Sequence, residues 1–120
     1  MKNTVKANEL RIGNWVSSKD TAVQIEEITS ETVRYCYGEF TLDFINPIPI
    51  TKEVLLRFGF EFKVVYGNNF WQLGKIVIFE DKKGNFEWSV GLKLQSIHQL
   101  QNLYFALIRR ELKLKDGGQL

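Results

Sequence analysis

Ser96-Ile97-His98-Gln99-Leu100-Gln101-Asn102-Leu103-Tyr104-Phe105-Ala106-Leu107-Ile108-Arg109-Arg110-Glu111-Leu112 reads as the one long helix of this chain. Ser96 is placed to cap its start, with Gln99 three residues on to complete a capping box. At about 100° per residue, Ile97, Leu100, Leu103, Tyr104, Leu107 and Ile108 share one broad face, with Phe105 and Leu112 at its edge. An apolar face so wide belongs to a helix lying against a sheet.

The sheet is to be sought upstream. Leu10-Arg11-Ile12-Gly13-Asn14-Trp15-Val16 is expected to turn at Gly13-Asn14 and enter a first strand, with a second over Val23–Ile28. Val33, Tyr35 and Tyr37 alternate with Arg34 and Cys36, the period of a half-buried strand, and Phe40, Leu42 and Phe44 repeat the alternation after a turn at Gly38-Glu39. Several short antiparallel strands so close together predict a curved sheet, a partial SH3-like barrel. Asn46-Pro47-Ile48-Pro49-Ile50 carries the only two prolines of the chain and ends this region as an extended connector.

Beyond the connector, Thr51 is expected to cap a short helix, Lys52–Phe58, that Gly59 stops in the left-handed conformation. Strands follow over Glu61–Tyr66, Phe70–Leu73, Lys75–Glu80, Phe86–Val90 and Leu92–Leu94. Turns fall at Gly67-Asn68-Asn69 and Asp81–Asn85, and the tail from Asp116 is expected to fray. The expected architecture is one α+β domain over residues 1–120: a β-rich sub-unit 1–50, then a sub-unit 51–120 of helix, β-meander and the long helix packed on the sheet.

A chain of 120 residues with 44% hydrophobic and 25% charged side chains can bury a core without disulfide or metal. Its single cysteine, Cys36, forbids an internal disulfide and suits a reducing compartment. The first nine residues hold no apolar stretch of signal-peptide type, and no run approaches a membrane span, so a cytoplasmic, non-membrane protein is expected. Net charge is only +2, too small for a concentrated phosphate-binding field. The basic excess gathers at Arg109, Arg110, Lys113 and Lys115.

Chemistry is sparse. His98 is the only histidine, so a Cys–His pair would need Cys36 and His98 to meet across the fold, and a structural zinc site lacks ligands. Adjacent carboxylates such as Glu26-Glu27 and Glu80-Asp81 point to opposite faces of a strand. No glycine pattern cradles phosphate. No catalytic residue, metal or cofactor is expected. His98, Asn102, Phe105 and Arg109, spaced i, i+4, i+7, i+11, form a stripe along the helix whose residue types make specific contacts. With Arg110 and Lys113 they are the expected partner-binding surface. Arg34, Tyr35, Tyr37 and Lys115 form the alternative, an aromatic–basic surface for RNA or single-stranded DNA.

Three stretches, Asn8–Val16, Pro47–Thr51 with Phe58-Gly59-Phe60, and Ile97–Leu107, resemble in order and spacing a group of small uncharacterised proteins encoded by phages, prophages and other mobile elements. The run His-Gln-Leu-Gln-Asn-Leu-Tyr-Phe-Ala-Leu is the most specific of them. Ile108-Arg109-Arg110 departs from the small or Gly-bearing turn expected before Glu111-Leu112, so a longer, more basic helix is expected here. The resemblance carries no catalytic residue. It implies a non-enzymatic binder of a host protein or ribonucleoprotein, inhibitors of bacterial defence such as anti-CRISPRs being one such class.

Overall fold

The computed structural model describes residues 5–36, 38–88 and 91–120. In chain order the elements are a 3-10 turn (Ala7–Glu9), β1 (Trp15–Ser18), β2 (Thr21–Gln24), β3 (Glu27–Ile28), β4 (Thr32–Tyr35), β5 (Gly38–Thr41), a second 3-10 turn (Leu42–Phe44) and β6 (Ile45–Asn46). Then come α1 (Lys52–Arg57), β7 (Glu61–Val65), β8 (Asn68–Leu73), β9 (Ile76–Glu80), β10 (Phe86–Trp88), β11 (Leu92–Leu94) and α2 (Ile97–Ile108). The fold is α+β with open antiparallel sheets. Two compact units divide it. One takes the described residues up to Pro49 with Ser96–Glu111 and Gln119–Leu120; the other takes Ile50–Gln95 and Leu112–Gly118. The long helix therefore groups with the first half, not with the expected 51–120 sub-unit.

In the first unit, β2-β1-β6 and β3-β4-β5 are two open three-stranded sheets. Their core joins Val5, Leu10, Val16, Val23, Ile25, Val33 and Ile45, with Ile28, Tyr35, Phe40 and Leu42 packed against it. The single strand expected over Val23–Ile28 is two. Ile25 N–H donates to Asn14 O at 2.9 Å, whereas Glu26 N–H donates to Arg34 O at 2.8 Å, so the chain changes sheet between them. Such switches leave the apolar alternation intact, which is why the pattern alone does not show them. The turn expected at Gly38-Glu39 is displaced toward β4: Cys36 sits in it, exposed, instead of within a strand, and Gly38 already belongs to β5. Leu42–Phe44 is a 3-10 turn, not strand, and breaks the alternation: Phe44 is exposed and Ile45 after it is buried.

The second unit is a five-stranded antiparallel meander, β11-β10-β9-β8-β7. Thr51 caps α1 by accepting the Val54 N–H. Its end is the expected Schellman arrangement: Phe60 N–H reaches Leu55 O at 2.9 Å and Gly59 N–H reaches Leu56 O at 3.0 Å. Gly59 takes φ 98°, open to glycine at little cost. The β7–β8 hairpin turns on Tyr66-Gly67, both at positive φ, one residue before the expected turn; two-residue turns of this hand match strand twist. Asp81 orders the β9–β10 loop, its Oδ1 accepting the N–H groups of Lys83 and Asn85, and β10 is described only to Trp88. The expected fraying is not seen at Asp116, which pairs with Arg57 and accepts the Gly118 N–H, while Lys115 N–H donates to Arg57 O. Within this unit Trp71 Nε1 donates to buried Glu80 at 2.8 Å, and Lys52 Nζ lies 3.4 Å from the other Glu80 oxygen.

Candidate interaction surface on the C-terminal helix

The N-terminus of α2 is the capping box read from the sequence: Ser96 Oγ accepts the Gln99 N–H and the Gln99 side chain accepts the Ser96 N–H. Its end is not where the sequence put it. The helix stops at Ile108, and Arg109 takes the left-handed conformation, φ 66°, donating its N–H to Phe105 O at 2.8 Å. Arg109 thus performs the role usually given to glycine, and the extended basic helix expected through Leu112 is corrected to a 12-residue helix with a strained stop.

The buried face is also rotated from the expected one. Ile97 and Leu100 are buried as predicted, but so are two polar side chains, His98 at 2% and Gln101 at 1% exposure, while Leu107 is 45% exposed. The reason lies in the segment Glu9–Trp15. β6 pairs with Ser17 and Ser18 of β1, so among the described residues the strand has no neighbour on that side at Trp15. Gln101 fills the place. Its Oε1 accepts the Trp15 N–H at 2.8 Å and its Nε2 donates to Gly13 O at 3.0 Å, as the peptide group of a neighbouring strand would.

Asn102 extends this seam. Its Oδ1 accepts from Arg11 Nη1 at 2.8 Å and from Asn14 Nδ2 at 3.0 Å, and its Nδ2 donates to Glu9 O at 2.8 Å. Asn14, wholly buried, accepts the Arg11 N–H on its Oδ1. The other arm of Arg11 pairs with Glu111, and its guanidinium lies over the Phe105 ring, 4.1 Å from the centroid. Glu111 also lies against Gly13, whose φ of 98° is one that side-chain-bearing residues rarely adopt. His98 Nδ1 is 3.2 Å from Ser96 Oγ; its Nε2 has no hydrogen-bond partner among the described residues, and Glu9 lies 3.7 Å away. Burial lowers the His98 pKa below its ordinary 6.5, with the nearby Glu9 carboxylate opposing.

The six residues expected to bind a partner therefore separate. His98 and Asn102 face inward, and their polarity is satisfied or sequestered by the Glu9–Trp15 segment, so they are withdrawn from the recognition stripe. Phe105 lies half under Arg11 yet stays partly exposed, and Arg109 and Arg110 are exposed beside Leu107. Lys113 is exposed but belongs to the other unit. In the alternative set, Arg34 is paired with Glu27 across β3–β4, and Tyr35 stacks on Phe40 with centroids 5.3 Å apart. Tyr37 lies outside the described residues, and Lys115 is exposed in the second unit. The sequence reading missed Gln101, Arg11, Asn14 and Glu111. One signal was present: Gln101 interrupts the stripe Ile97, Tyr104, Ile108 at i+4.

Among the described residues no three His, Cys, Asp or Glu side chains group to hold a metal ion, and no helix is long and apolar enough to cross a membrane. Comparison with protein-family models, with curated proteins and with solved structures finds no match to this chain.

Proposed function

We propose that this protein is a non-enzymatic interaction module of phage or mobile-element origin that binds a host protein or ribonucleoprotein. Inhibition of a bacterial defence complex, an anti-CRISPR role among them, is the kind of task it would serve. The observation that carries the reading is the second half of α2. Its polar first half is consumed in holding Glu9–Trp15, whereas Phe105, Leu107, Arg109 and Arg110 are left facing solvent. An apolar pair flanked by guanidinium groups is the composition of a protein-contact patch. The three stretches that resemble mobile-element proteins supply the context. RNA or single-stranded DNA binding has less to rest on, since Arg34 and Tyr35 are engaged within their own sheet.

The test is affinity capture from host lysate with the wild-type chain and with Leu107→Asp/Arg110→Glu, before and after nuclease digestion. The expected result is a partner retained through digestion and lost with the double variant at an unchanged melting temperature. Equal capture by both proteins would remove the helix surface from the reading. Loss of the partner on digestion would move it to nucleic acid.

A further inference from the structure

β7 is, with β11, one of the two edge strands of the five-stranded sheet. All five of its residues are exposed, Phe62 at 47% and Val64 at 59%. It pairs with β8 through five consecutive residues without a bulge, and it holds no proline. Natural edges are ordinarily protected by shortness, bulges, proline or an outward lysine. β7 has only Lys63, whose Nζ is turned back along the sheet to Gln72 Oε1 at 2.8 Å.

Hydrogen-bond direction follows from the turn. In a two-residue hairpin the flanking residues, here Val65 and Asn68, form a hydrogen-bonded pair, and the pattern alternates from there. Val65, Lys63 and Glu61 therefore direct their backbone groups to β8. Phe62 and Val64 direct theirs to the open edge. We propose that this edge pairs antiparallel with the β7 of a second copy of this chain, in the register that sets Phe62 opposite Phe62.

Charge selects both the occupant and the register. Centred on Phe62, each Glu61 stands opposite the Lys63 of the other copy, so two opposite-charge pairs form across the two-fold axis. Centred on Lys63, two ammonium groups would meet. Centred on Val64, no charges pair. In the Phe62 register the two phenylalanines exchange backbone hydrogen bonds on the axis. Each ring already leans on Trp71 of its own sheet, centroids 5.0 Å apart, so pairing gathers four aromatic rings on one face. The inference is independent of the α2 surface, which is in the other unit.

Sedimentation velocity of the full chain over a micromolar dilution series tests it, with far-UV circular dichroism and melting temperature to establish that each variant is folded. The wild type is expected to pass from monomer to dimer with concentration. Glu61→Lys and Lys63→Glu each set like charges together and are expected to weaken association by about tenfold or more. The swap Glu61→Lys/Lys63→Glu restores the opposite pairs and the dimer. Val64→Pro deletes an outward N–H while sparing the β8 ladder, and is expected to be folded and monomeric. A wild type that stays monomeric across the series, single variants that dimerise as well as the wild type, or a folded swap variant that does not recover association each overturn the proposal.

Discussion

The side-chain amide of Gln101 stands to Trp15 as a neighbouring strand would, accepting its backbone N–H at 2.8 Å while donating to Gly13 O at 3.0 Å. One glutamine thus satisfies the Trp15 N–H that β6 is too short to reach, shares Gly13 O with Gln24 Nε2, and ties α2 to β1.

Removing that amide strands the Trp15 N–H in the interior, while Gly13 O keeps the hydrogen bond it accepts from Gln24 Nε2 at 3.0 Å. Gln101→Met, which keeps length and volume, is expected to cost about 1–3 kcal/mol, the cost of one unsatisfied buried backbone group. Urea denaturation with an unchanged m-value measures it. A loss of under about 0.5 kcal/mol, the size of an ordinary surface change, would mean that the amide only shields these groups.

Arg109 ends α2 at φ 66°, a conformation that costs a side-chain-bearing residue about 1–2 kcal/mol. Arg109→Gly is expected to stabilise the chain by about 0.5–1 kcal/mol, the relief of strain exceeding the entropy glycine gains when unfolded. Thermal melts of the two proteins decide it. A lower melting temperature for the glycine variant would show that the guanidinium makes a contact worth more than the strain.

The pH dependence follows from His98. Its pKa is lowered on folding, so above the unfolded value of 6.5 both states are neutral and the group contributes nothing to the slope. As pH falls through 6.5, the unfolded chain takes up a proton that the folded chain resists. Stability should decline from about pH 7 downward until the folded value is passed. Asp81 and Asp116 have depressed pKa values, chiefly from the backbone N–H groups of Asn85 and Gly118. Their stabilisation is present above the ordinary 3.8 and is lost only as pH falls through their lower folded values. His98→Gln should therefore flatten the weakly acidic limb and leave the strongly acidic one, as read by denaturation midpoints at stepped pH.

In the second unit Trp71 Nε1–H donates to the buried Glu80 carboxylate. Trp71→Phe keeps an aromatic ring but withdraws a hydrogen bond to a charged group, so a loss of about 2–4 kcal/mol is expected from that bond and the cavity together. Pairing it with Glu80→Leu, which has no acceptor, in a double-mutant cycle isolates the bond. A coupling near zero would assign the whole loss to ring volume.

Several local readings hold, while the turns at Gly38-Glu39 and Gly67-Asn68-Asn69, the end of α2 and the fraying at Asp116 do not. The Ser96 and Thr51 caps, the Gly59 stop, the Asp81–Asn85 loop and the alternation of Val33 and Tyr35 in β4 depend on residues a few positions apart. The candidate surface was half legible: Phe105, Arg109 and Arg110 are exposed as expected, while His98 and Asn102 turn inward. Nothing near them in the chain says so, because their partners Glu9, Arg11 and Asn14 lie about ninety residues upstream. The sheet change at Ile25–Glu26 escaped for a related reason, since apolar alternation marks which side chains are buried, not which strand lies alongside.

Sequence by itself determined that this chain makes capped helices and short antiparallel strands, because backbone conformation and side-chain period are decided within a turn or two of the residue concerned. Only the tertiary structure decided which face of α2 is inside. A purely apolar contact would have turned Leu103 and Leu107 to the core. The Trp15 N–H has no strand partner on that side among the described residues, and leaving it unmet in the interior costs about 1–3 kcal/mol, so the helix presents Gln101 there and Leu107 stays exposed.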